Sequence, residues 1–237
     1  MRAETIAWWA PKSGHTTAEY EDAYAVEPAA RRFAVADGAS ETSFAKEWAE
    51  LLVARFVEAP PTVAELRDWV VPMQAAWAGA HLDKPTAWYA EQKAKSGAYA
   101  SLLGLSLDDD RWRALAVGDS CLFVVRSGRL VHAFPFERAE QFNQRPVLLS
   151  SVDRANRDVW QDVRAEEGEL RHKDQLLLMT DALAHWFLTE SEMGRRPWAA
   201  LQRAGTEEAF HTFVHLLRGG GALRNDDVTL VRLEVAA

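Results

Sequence analysis

Four short acidic motifs punctuate the chain: Glu21-Asp22, Asp37-Gly38, Asp181 and Asp226-Asp227. Each stands at the end of an apolar run of strand type. The first precedes Asp22 to Val26, Asp37 follows Phe33 to Ala36, Asp181 follows Leu176 to Thr180, and the last pair precedes Val228 to Val235. One Asp at a strand end is an ordinary turn residue. Several carboxylates from distant parts of a chain, each carried on a rigid strand terminus, are what an oxygen-ligand site for Mg2+ or Mn2+ requires, because these hard cations prefer carboxylate, carbonyl and water. Zinc is disfavoured: there is a single cysteine, Cys121, and the seven histidines are scattered. His185, His211 and His215 have no third ligand in register and read as structural, and Cys121, in an apolar strand, reads as an inert buried thiol. A lone cysteine forms no internal disulfide, which suits the cytoplasm.

Other catalytic templates are absent. The chain holds no GxSxG elbow, Walker A loop, HExxH or GxGxxG, and Gly219-Gly220-Gly221 lacks the Lys and Ser/Thr that would make it a phosphate cradle. With 27 basic against 35 acidic residues the net charge is −8, so a broad surface for nucleic acid or anionic lipid is not expected. At 48% hydrophobic and 26% charged the 237 residues describe a soluble globular protein, read as one domain over 1–237 because no repeat or linker divides it. Apolar runs such as Leu176 to Met179 fall far short of the roughly 20 residues that span a membrane. The N-terminus, with Glu4 before any apolar run, does not read as a secretory signal.

The elements that must carry these acids follow from apolar spacing. Phe44, Trp48, Leu51, Leu52 and Phe56 share one helix face. A second helix is predicted from a Thr62/Glu65 capping box through Leu66, Trp69, Val70, Met73 and Trp77, with Pro72 kinking or interrupting it. Ala98 to Leu107, Trp112 to Val117, Cys121 to Val125 and Leu130 to Phe134 form an antiparallel meander, with Gly118-Asp119-Ser120 in one of its turns. Later helices hold Leu183 and Phe187, then Phe210, Phe213, Val214 and Leu217, with Gly219 as the stop. Strands apolar on consecutive residues imply burial on both faces, hence an α+β fold with two packed sheets flanked by helices.

In order and spacing, Glu21-Asp22-Ala23, Val35-Ala36-Asp37-Gly38, Gly97-Ala98-Tyr99-Ala100, Val117-Gly118-Asp119-Ser120, Leu178-Met179-Thr180-Asp181 and Asn225-Asp226-Asp227-Val228-Thr229 resemble the metal-dependent protein phosphatases of type 2C, in a compact bacterial form. The resemblance spans nearly the whole chain. It implies a four-layer αββα sandwich of two mainly antiparallel sheets, two Mn2+ or Mg2+ ions, and hydrolysis of phosphoserine and phosphothreonine in a phosphorylated protein substrate by a bridging hydroxide. It implies that Asp37 bridges both ions, that Gly38 offers its carbonyl, and that Asp181 and Asp226 complete the second ion's site. Glu21 and Asp22 would hold metal-bound waters, with Asp22 joining Asp37 in catalysis, and Asp119 with Asp181 would hold a weaker third ion. Asp227 stands where the family usually has Asn.

Two departures qualify that expectation. Where the family often has a His that protonates the leaving group, this chain reads Ala39-Ser40-Glu41, and where it commonly has a phosphate-binding Arg, this chain has Thr17. Lys12 or His15, in the same loop, is expected to reach the phosphate instead. The competing expectations are a weak or inactive relative that binds phosphorylated partners, and a hydrolase of small phosphate esters. Pro135 to Arg171, with Arg138, Arg145, Arg154 and Arg157, corresponds to a variable flap in the family and is the least legible segment.

Overall fold

The structure, a computed structural model, describes residues 2–40, 42, 44–81 and 96–236. Its strands are β1 (Arg2–Ala10), β2 (Ala23–Glu27), β3 (Arg32–Ala36), β4 (Tyr99–Ala100), β5 (Leu102–Leu107), β6 (Arg111–Val117), β7 (Cys121–Arg126), β8 (Arg129–Phe134), β9 (Leu149–Ser150), β10 (Arg164–Glu169), β11 (Gln175–Met179) and β12 (Val228–Ala236). The helices that matter for packing are α1 (Ala45–Glu58), α2 (Leu66–His81), α3 (Asp181–Glu192), α4 (Pro197–Arg203) and α5 (Glu207–Gly219). One sheet runs β1-β12-β11-β7-β8 and the other β10-β6-β5-β3-β2, with β4 and β9 paired apart. All pairings are antiparallel.

Successive side chains on a strand point to opposite faces, and here both faces are covered. Phe33 and Val35 of β3, Leu103 and Leu105 of β5, Leu122 and Val124 of β7, Leu176 and Leu178 of β11, and Val231 and Leu233 of β12 meet between the sheets. Their neighbours turn outward. Ala34 and Ala36 meet Trp48, Leu52 and Trp77 of α1 and α2, while Phe123, Leu177, Met179 and Leu230 meet Leu183, Phe187, Phe210 and Val214 of α3 and α5. Gly104 faces α1, where an added Cβ would stand 2.0 Å from the Phe56 ring, so the glycine makes room for an aromatic side chain. The result is the expected α+β, four-layer αββα arrangement. Among the described residues no helix is long and apolar enough to cross a membrane.

Four local expectations change. Helix α2 runs through Pro72 without a break. Pro72 and Asp68, whose carbonyl loses its partner four residues on, both lie on the exposed face, where water can replace the missing bond. Thr62 and Glu65 do interact, the Thr62 N–H and hydroxyl donating to Glu65 Oε2 at 2.9 and 2.8 Å, but in a turn before the helix starts at Leu66. The apolar run from Ala98 to Leu107 is two strands, β4 and β5, parted at Ser101, where the Asp37 N–H opposite donates to the serine hydroxyl. Arg2–Ala10, unassigned by its spacing, is an edge strand held along its whole length by β12.

Candidate metal centre

The acids converge at one end of the sandwich from both sheets: Asp22 precedes β2, Asp37 follows β3, Asp119 lies in the β6–β7 turn, Asp181 opens α3 after β11, and Asp226 precedes β12. Asp37 feels the charges of Asp22, Asp181, Asp119 and Asp226, so the five carboxylates form one cluster.

Backbone contacts set the centre of that cluster. The Asp37 N–H donates to Ser101 Oγ at 3.0 Å, and the Asp37 carbonyl accepts from the Ser101 N–H at 2.9 Å. The Ser101 hydroxyl lies 2.7 Å from that of Ser120, beside Asp119. Gly38 follows because the chain must pass close to the Glu21 loop: a Cβ at 38 would stand 2.7 Å from the Glu21 carbonyl oxygen.

Asp22, only 2% exposed, is held by two threonines from the opposite sheet. Thr180 Oγ1 donates to Asp22 Oδ2 at 2.9 Å and Thr229 Oγ1 to the same oxygen at 2.7 Å. Because Thr180 Oγ1 also accepts from the Thr229 N–H at 2.9 Å, it does not serve as a side-chain cap for α3. Tyr20 completes the chain: Thr229 spends its proton on Asp22, so the Tyr20 hydroxyl, kept protonated chiefly by burial, donates to Thr229.

The electrostatics of the cluster favour a bound positive charge. Burial, and then repulsion among neighbouring acids, holds Asp22 and Asp37 well above the usual carboxylate range. The same causes push Asp119 up to about 7. Asp181 is raised by burial, against the pull of Arg224. Asp22 Oδ1 and Asp181 Oδ1 are buried and have no hydrogen-bond partner. Orphaned carboxylate oxygens in an all-oxygen cluster of like charge fit a hard divalent cation. Among the described residues no three His, Cys, Asp or Glu side chains by themselves enclose an ion, so carbonyl and water ligands would have to share each shell, as Mg2+ and Mn2+ accept.

A pH dependence follows. An acid whose pKa is higher in the folded than in the unfolded state keeps the folded chain more protonated, so stability is lost as pH rises from the unfolded value near 4 to the folded one. Metal-free protein is expected to lose stability between about pH 4 and pH 7, the folded value of Asp119, and Mn2+ at pH 7 is expected to restore it. Denaturant unfolding across that range, with and without chelator, checks both; stability that rises with pH in chelator would contradict it.

Beside the acids lies a cleft of about 380 Å³ lined by Lys12, His15, Glu21, Ser40 and Lys46 among others. Lys12 Nζ donates to Ser40 Oγ at 2.8 Å and sits 3.8 Å from Asp226 Oδ1, whereas Thr17 is exposed in a short 3-10 turn. Glu21 passes its carbonyl close to Gly38 and is among the residues that line this cleft. Asp227 clamps the loop, its Oδ1 accepting from the Lys12 N–H at 2.8 Å and its Oδ2 from the Glu21 N–H at 2.7 Å. Arg218 donates to the carbonyls of Pro11, at 2.8 Å, and Asp226. Little in the sequence marks these supports: Thr180 and Thr229 lie inside the Asp181 and Asp226-Asp227 motifs with no sign of their role, and nothing in spacing marks Arg218. Of the flap arginines, Arg138 pairs with Glu192. His185 packs against Phe142, and Cys121 is buried with its thiol pushed up by burial, as structural residues do.

The chain matches the family model for Protein phosphatase 2C over residues 15–218. It belongs to the protein phosphatase 2C family, and so to the metal-dependent phosphoprotein phosphatases. Among curated proteins no sequence matches it. Among solved structures it is similar to the Mycobacterium tuberculosis serine/threonine phosphatase PstP/Ppp, at 20% identity and TM-score 0.68 over 100% of both chains. The catalytic domain of PstP in complex with two manganese ions aligns at 20% identity and TM-score 0.65, over 100% of this chain and 99% of that one. Stp1 from Staphylococcus aureus aligns at 15% identity and TM-score 0.69, over 100% and 96%. At such identities these structures establish the fold.

Proposed function

We propose that the whole chain is one active phosphatase domain that hydrolyses phosphoserine and phosphothreonine in proteins with two Mn2+ or Mg2+ ions. The observation that carries this reading is the cluster of acids, drawn from both sheets, with two buried carboxylate oxygens left unpartnered. Asp37, Asp181, Asp226 and the Gly38 carbonyl would hold the ions, with Glu21 and Asp22 toward their waters. When bound, such ions neutralise phosphoryl charge and make water nucleophilic at neutral pH.

The chain's own groups account for the rest. Thr180 and Thr229 hold Asp22 Oδ2, which leaves Oδ1 as the oxygen that can accept a proton from a water. No His follows Gly38, so the leaving alkoxide must take its proton from solvent; since a positioned acid contributes about 100-fold to 10,000-fold, aryl phosphates should turn over relatively well and alkyl esters slowly. Lys12, against Ser40 and Asp226, supports phosphate binding at the cleft, and His15 lines the same space. The partner is a phosphorylated protein, with neither nucleic acid nor membrane required.

The test compares a phosphothreonine peptide with an aryl phosphate in the intact protein and in a Lys12→Ala, His15→Ala double variant. The peptide is expected to have the lower KM, and the double variant to raise KM for both esters by roughly tenfold with a smaller change in kcat. Unchanged kinetics would remove Lys12 and His15 from the phosphate site. Binding of the peptide without turnover would favour the second reading, a phospho-binding relative, to which Thr17 and Ala39 point.

A further inference from the structure

The acid cluster has a basic neighbour with no part in the scheme above. Arg224 lies in the loop that leads into Asp226, and that loop is anchored: Leu223 is buried, Asn225 Oδ1 accepts from the Ser13 N–H at 2.7 Å while Asn225 Nδ2 donates back to the Ser13 carbonyl at 3.3 Å, and the Asp226 N–H donates to the Arg224 carbonyl at 3.0 Å. From this backbone the Arg224 Nη2 comes to 3.4 Å from Asp181 Oδ2. Its charge also reaches Asp119, where it opposes the repulsion from Asp181. The two oxygens of Asp181 are thereby divided: Oδ2 faces the guanidinium, and the buried Oδ1 is the one without a partner.

We infer that Arg224 takes the place of a third cation at the Asp119–Asp181 pair, so that the protein binds two ions and not three. This rests on the metal-dependent reading of Asp37, Asp181 and Asp226. An arginine is charged at every working pH, so from its contact with Asp181 Oδ2 it supplies the pair with a permanent positive charge. A divalent ion entering between Asp119 and Asp181 would meet that charge at close range and would have to displace it from Asp181. An ion between Asp37 and Asp181 would not have to displace Arg224, since Asp181 Oδ1 remains open. The loop that carries Asp226 to the tight site thus also carries the group that closes the weak one.

The experiment titrates Mn2+ alone, reading the electron paramagnetic resonance signal of the free ion, into the intact protein, Arg224→Ala, Arg224→Gln, and each of these combined with Asp119→Asn. The Arg224 side chain is 48% exposed, so its removal should leave the fold intact, and the near-isosteric Gln variant provides a second route if Ala does not. The intact protein is expected to saturate at two ions. Both Arg224 variants are expected to take up one further, weaker ion, held roughly tenfold or more tighter than any third ion in the intact protein, and Asp119→Asn is expected to abolish it. A third ion in the intact protein that Asp119→Asn removes, or Arg224 variants that titrate like the intact protein, would overturn the assignment. Absence of two tight ions in the intact protein would instead count against the metal-dependent reading and would take this inference with it.

Discussion

Asp37→Asn is expected to lower Mn2+-dependent hydrolysis by about 10³-fold or more while making the metal-free protein more stable, not less. The first effect follows from position: Asp37 lies in the field of Asp22, Asp181, Asp119 and Asp226 together, so on the proposed function ions held among these acids would depend on its charge. The second follows from the same neighbours. Without metal, the Asp37 charge is buried among like charges, and an amide of the same shape removes that repulsion. The backbone contacts of residue 37 with Ser101 do not involve its side chain and remain. Initial rates on a phosphothreonine peptide, beside thermal unfolding in chelator, separate the two. A variant that keeps a tenth of the activity, or one that unfolds more easily in chelator, would speak against a central charge at this position.

Asp227→Ala is expected to cost about 2–4 kcal/mol of stability, because it leaves the Lys12 and Glu21 N–H groups without their acceptors at a site only 4% exposed. Removing the Asp227 charge also relieves some repulsion on Asp22, but that acts across space, whereas the lost bonds are direct and charge-assisted, so the loss should dominate. Asn presents one acceptor oxygen where Asp presents two, so Asp227→Asn should lose about half as much. Urea denaturation in chelator measures both, and equal stability of the Ala and Asn variants would show that the clamp does not hold the loop. The loop also carries Lys12, so Asp227→Ala should weaken phosphate binding as well.

Much of this architecture is legible in the chain because its strands are covered on both faces. The consecutive apolar residues of Leu176 to Met179 or Cys121 to Val125 have few other uses in a protein of this charge, and acids at their ends must meet wherever the strand ends meet. What is not legible depends on partners far away in sequence. Arg2–Ala10 becomes a strand because β12 pairs with all of it, and its own alternation is too weak to say so. The apolar run parts at Ser101 because the serine hydroxyl takes the Asp37 N–H across the strands, which no local pattern reveals. Pro72 sits in a continuous helix because the carbonyl it deprives faces water. Thr180 looks like an ordinary helix cap, and its bond to Asp22 spans 158 positions. Arg224, on an exposed loop beside Asn225 and Asp226, is indistinguishable in sequence from a solvated charge.

The proposed function requires this cluster of acids to work as a catalytic metal centre without the usual His and Arg. The most direct measurement is phosphate release from a phosphothreonine peptide by the intact protein as Mn2+ is added and then removed with chelator. Turnover that appears with Mn2+, saturates, and disappears with chelator is the predicted result. Tight Mn2+ binding with no phosphate released from the peptide or from an aryl phosphate would contradict it.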